Sequence, residues 1–146
     1  DEHGPITARF SVAASHFHIG KARCSRPLNS TLGGAMNSKK SKARFNVYVI
    51  ELDRAVLSDR KFQKANPDYK QGRPCVYVGM TSQSPEQRFE QHKNGVKAAR
   101  FAKKYGIRLK PRQYAHHNPM TYEDACEMEV EKARRLRKRG YGVWQN

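Results

Sequence analysis

Two short apolar runs, FNVYVIEL (Phe45 to Leu52) and CVYVGM (Cys75 to Met80), constrain this chain more than any other feature. β-Branched and aromatic residues dominate both, which is the composition of strands. The polar stretch between them, DRAVLSDRKFQKANPDYKQGRP, carries Asn66-Pro67-Asp68 and Gly72 and has room only for a short helical turn around Arg54 to Lys64. A parallel pairing needs a long crossover helix, so the two strands are expected to be antiparallel neighbours.

Helical signals follow. In SPEQRFEQHKNG, Ser84 and Gln87 have capping-box spacing, Pro85 suits the first helical position, and Asn94-Gly95 supplies a stop. A basic helix is predicted over Val96 to Tyr105, and a third strand over Ile107 to Tyr114, placed at an edge by Pro111. TYEDACEMEVEKARRLRKRG has a capping pair at Thr121 and Asp124, acids early, bases late and Gly140 as terminator. The order strand, strand, helix, helix, strand, helix predicts a small α+β domain over residues 42–146.

Residues 1–41 show no sustained periodicity and are rich in Ser, Gly and Asn, so they read as a flexible or non-native N-terminal tail. Met36 stands just before the basic lead-in to the first strand and reads as the natural start. No run approaches a membrane span and no signal peptide is visible, so a cytoplasmic protein is expected. Three distant cysteines without CxxC do not indicate a zinc site. The chain holds 29 Lys and Arg against 13 Asp and Glu, a net charge of +16. Residues 1–35 hold only four bases and two acids, so the excess belongs to the folded part. Such a field attracts polyanions, nucleic acid above all.

Within the strands, Tyr48 and Tyr77 each face away from their flanking valines. Alone they are ordinary strand aromatics. Gly79, two residues after Tyr77 on the same face, leaves a gap at the strand end where a ligand or another backbone can approach. Arg88 and His92 share one face of the next helix, which starts near that gap. On the last helix, Glu129 falls in the arc of Ala125, Cys126, Ala133 and Leu136, whereas Glu131 shares its stripe with Glu127, Arg135 and Lys138. A carboxylate among apolar neighbours must be paired, protonated or metal-bound. Pairing with an Arg would explain Glu129 nearly as well as a metal.

The ordered set NVY, YVG, R-x-x-x-H and a downstream Glu resembles the GIY-YIG endonucleases over Phe45 to Asn146. The resemblance implies a three-stranded antiparallel sheet flanked by helices and hydrolysis of DNA phosphodiester bonds. It implies that Tyr48 assists deprotonation of the attacking water, Tyr77 orients water or phosphate, and Arg88 stabilises the phosphoryl group. His92 would position the tyrosine or phosphate, and Glu129 would hold one Mg²⁺, or another divalent cation such as Mn²⁺. Two departures stand out: Asn46 where the family usually has Gly, and Gly142 where many members carry Asn.

Gly79, Lys97, Arg100, Lys103, Lys104 and Arg108 are the expected substrate-binding residues, the basic ones as a footprint on the duplex backbone. Phe101 and Tyr105, at helical spacing among them, read as core, and His116-His117 as a loop pair. Strong sequence specificity would need a homodimer or an accessory recognition partner, since nearly all of the chain is catalytic core. Two other readings compete: a binding module of the same fold with impaired catalysis, and a ribosome-associated RNA-binding protein supported by charge alone.

Overall fold

The computed structural model of the chain describes residues 42–145. The expectations placed on residues 1–41, including a start at Met36, and on Asn146 lie outside the described residues. At the centre, β1 (Asn46–Leu52) and β2 (Cys75–Thr81) pair antiparallel from Asn46 opposite Thr81 to Leu52 opposite Cys75. Their burial is nearly continuous, with Val47, Val49 and Ile50 on β1 and Val76 and Val78 on β2 at most 1% exposed. Continuous apolar runs of this kind belong to a sheet covered on both faces.

The sheet has four strands and is mixed, which corrects the expected three-stranded antiparallel sheet. β3 (Gly106–Leu109) pairs antiparallel with the outer edge of β1, and β4 (Gly142–Gln145) runs parallel to β2, giving the order β3-β1-β2-β4. β4 escapes a reading by pattern because it is four residues long and follows the helix terminator directly. Its outer edge is satisfied by distant side chains: Val143 N–H donates to Asn66 Oδ1 at 2.7 Å, and Val143 O accepts from Arg137 Nη2 at 3.2 Å. β3 ends earlier than expected because Pro111 opens a 3-10 turn, Pro111–Gln113. Beyond it, the Asn118 amide takes over the edge of β1, accepting from Val47 N–H at 2.9 Å and donating to Val47 O at 2.8 Å.

Between β1 and β2 lie a 3-10 turn, Arg54–Ser58, and α1 (Arg60–Ala65), capped by Asp53 and Asp59. α2 (Pro85–Lys93) has the expected capping box: Gln87 N–H donates to Ser84 Oγ at 3.2 Å and Ser84 N–H to Gln87 Oε1 at 3.4 Å. α3 (Arg100–Tyr105) is shorter than expected, since residues 96–98 form a turn in which Lys97 has φ +43°. α4 (Tyr122–Lys138) is capped by Thr121 and ends at Gly140, whose φ of +84° suits glycine. It buries Ala125, Cys126, Glu129, Ala133 and Leu136, and it packs on β2 and β4. Among the described residues no helix is long and apolar enough to cross a membrane.

Candidate active site

Register brings Tyr48 opposite Gly79, and a Cβ at position 79 would lie 2.7 Å from Tyr48 Oη, 2.8 Å from its Cζ and 2.9 Å from Tyr77 Cε1. The gap expected at the strand end is therefore filled by the Tyr48 phenol. Gly79 is itself buried, and it seats the Tyr48 phenol.

His92 is fully enclosed at 0% exposure. Its Nδ1 accepts a hydrogen bond from Ala99 N–H at 3.1 Å, so the ring proton is assigned to Nε2, which donates to Tyr48 Oη at 2.8 Å. Burial, with the neighbouring Arg88 charge, pushes its pKa down to about 4, so the ring is neutral at physiological pH. The rings of Tyr48 and Tyr77 flank it, with centroids 5.9 and 5.5 Å away. His92 is thus a positioning residue for Tyr48.

Arg88, one turn earlier, is half-buried, and its guanidinium is held by neutral acceptors. Nη1 donates to Gln91 Oε1 at 3.0 Å and Nη2 to Lys97 O at 2.8 Å. This fastening explains why residues 96–98 turn instead of extending α3. Burial pushes the Tyr48 pKa up to about 12, while Arg88 and hydrogen bonds from Tyr77 and Arg88 oppose that rise. The Tyr48 oxygen therefore accepts from His92 with the Arg88 charge acting on it, and the Tyr77 ring packs 6.0 Å from the Tyr48 ring. The Tyr77 pKa is raised further still, first by burial and then by Tyr48.

Glu129 is 9% exposed, and burial alone pushes its pKa up to about 7. Among the described residues it has no hydrogen bond or ion pair, so the alternative of an Arg partner finds no support there. Its charge reaches both Tyr48 and Tyr77, raising the pKa of each. Glu131 differs in every respect: Arg134 and Arg135 bind it at 2.7 and 2.6 Å and hold its pKa down at about 2. A lone buried carboxylate suits a hard oxygen-loving cation that keeps most of its own waters, and Mg²⁺ is such an ion. Among the described residues no group of three or more His, Cys, Asp or Glu could hold a metal, so Glu129 would hold it with water completing the shell.

The basic residues divide. Lys97 is exposed beside Arg88, through its own carbonyl. Arg100 is paired with Asp59 at 2.9 Å, and Arg108 with Glu51 at 2.6 Å. The Lys103 ammonium lies against Gly95, and Lys104 sits 5.1 Å from the Tyr105 ring. Phe101 is core, edge-on to Phe62 and 4.5 Å from Trp144. Gly142, where the resemblance places an asparagine, packs under Phe62, whose Cε1 would be 2.9 Å from an added Cβ. No polar side chain fits there. Gln91 and the Ala99 N–H escaped sequence reasoning; the i,i+3 spacing of Arg88 and Gln91 was the only signal for the first. No protein-family model, no curated protein and no solved structure matches the chain.

Proposed function

We propose that this protein is a metal-dependent endonuclease that hydrolyses DNA phosphodiester bonds through a GIY-YIG-type site. The observation that carries the reading is the buried Tyr48 oxygen, bonded to His92 and under the charges of Arg88 and of Glu129, a buried acid that has no partner among the described residues.

The His92 donor and the Arg88 charge favour the phenolate against the burial that disfavours it, which is what a tyrosine needs in order to take a proton from an attacking water. His92 contributes as a neutral donor, fixed in its tautomer by Ala99. Arg88 moves from the turn carbonyls to the phosphate, where its planar fork binds two oxygens and stabilises charge in the transition state. Tyr77 orients the water and donates to Tyr48. Glu129 would hold the divalent cation, which when bound supplies positive charge to the phosphoryl oxygens and to the Tyr48 phenolate.

The pH dependence follows from two groups. Glu129 must lose its proton, near pH 7, and the Tyr48 phenolate grows with pH towards about 12. Nicking is therefore expected to rise from pH 6 to pH 9. Supercoiled plasmid incubated with Mg²⁺ tests the reading: open-circular product is expected, and a chelator should abolish it.

A second reading, DNA binding without cleavage, is favoured by one observation: Tyr48 and Tyr77 are each only 1% exposed. Tight binding of duplex with no nicking under any divalent ion would select it.

A further inference from the structure

A groove of about 520 Å³ lies away from the tyrosine cluster, between the C-terminal half of α4, the loop ahead of β2, and β4. Four cations line it, Lys70, Arg134, Arg137 and Lys138, against one carboxylate, Asp68. Basic residues late in a helix ordinarily offset its dipole, and Arg134 is already bonded to Glu131. That explanation does not cover Lys70, which comes from a different segment. Its backbone N–H is fastened to Gly140 O at 2.9 Å, and its stem crosses Gly140 so closely that a Cβ there would meet Lys70 Cγ at 2.6 Å. The lysine is thereby built into the wall of the groove.

Two polar groups at the groove are also unmet among the described residues. Arg137 is half-buried and anchored through Nη2 to Val143 O, while its Nε–H has no acceptor. Gln145 Oε1 is likewise buried without a donor. A phosphate oxygen can accept from the Arg137 Nε–H, whereas Gln145 Oε1, an acceptor, needs a donor that a phosphate does not supply. In the sheet, Gln145 is opposite Val78, whose side chain faces away from Tyr77, so the groove lies on the face of the sheet opposite the tyrosine cluster.

We propose that this groove is a second phosphate-binding site, which seats a backbone phosphate of the DNA apart from the cleavage site. It rests on the nuclease reading, with Lys70 and Lys138 supplying charge and Arg137 a guanidinium anchored through Nη2.

Duplex binding by the whole chain in chelator, followed by fluorescence anisotropy over a range of salt, tests it. K70Q/K138Q is expected to weaken binding about tenfold and to reduce the slope of log K against log salt by about 1, close to one phosphate contact. K61Q/K64Q on α1, with the same loss of charge, is expected to leave the slope unchanged. Equal effects of the two double variants, or none from K70Q/K138Q, would overturn the site. The Arg137 Nε–H resonance identifies the ligand. A shift on adding duplex supports the proposal; a shift with inorganic phosphate and none with duplex, or no shift with either, overturns it. Neither measurement needs turnover, so a wild type that binds in this way yet never nicks removes the nuclease reading and leaves the phosphate site standing.

Discussion

Arg88 and Arg108 are both arginines beside the central sheet, yet they sit in opposite circumstances. Arg108 is exposed and paired with Glu51, which its hydrogen bond and the Lys110 charge hold below the usual carboxylate range. Arg88 is half-buried, and among the described residues its hydrogen-bond acceptors are neutral. The same contrast divides Glu131, satisfied by two arginines, from Glu129, enclosed and without a partner among the described residues. At Arg108 and Glu131 the charge is neutralised by an exposed partner, so each pair contributes a screened field. In the cluster the charges are held apart and desolvated, which costs stability and has no evident structural return.

The comparison is broken most severely at Tyr48. Tyr48→Phe is expected to lower nicking by about 10²–10⁴-fold, the usual range for a lost general base. It should also cost about 1–3 kcal/mol, since the His92 Nε2–H is left buried without its acceptor. Plasmid nicking rates and urea denaturation read the two effects.

Ionisation sharpens the comparison next. Glu129 has a folded pKa of about 7, above its ordinary 4.5, so its contribution to stability is full below about pH 4.5 and is lost as pH rises through 7. His92, at about 4 against an ordinary 6.5, runs the other way: its contribution is full above pH 6.5 and is lost as pH falls towards 4. The trends oppose each other between pH 4.5 and 6.5 in the wild type. Glu129→Gln should leave only the rise with pH, and His92→Gln only the fall, each up to on the order of 3 kcal/mol. Urea midpoints at several pH values separate them; parallel profiles for both variants would contradict the assignment.

Gly79→Ala is expected to destabilise by about 1–3 kcal/mol, because the new methyl displaces the Tyr48 phenol. Nicking should fall alongside stability in this variant. At the rim, Arg108→Gln should change stability by no more than about 1 kcal/mol, and nicking at low salt only a few-fold.

Local chemistry made much of this legible. The capping box at Ser84, the terminator at Gly140, the strand pair and the apolar arc around Glu129 all depend on neighbours close in sequence or on simple periodicity. β4 and the true occupant of the Gly79 gap depend on pairing across the fold. Val143 is held at its edge by Asn66 and Arg137, and Tyr48 reaches Gly79 from another strand. The shortened α3 has the same origin: residues 96–98 follow the Arg88 guanidinium rather than their own helical preference.

The central claim is that Glu129 is kept buried and unpaired for chemistry rather than for folding. Plasmid nicking and thermal stability of Glu129→Gln, measured together at pH 8 in Mg²⁺ and again in chelator, test it directly. The account predicts that nicking is lost while the melting temperature in chelator rises above that of the wild type. A Glu129→Gln protein that nicks at the wild-type rate, or wild-type nicking that persists undiminished in chelator, would contradict it.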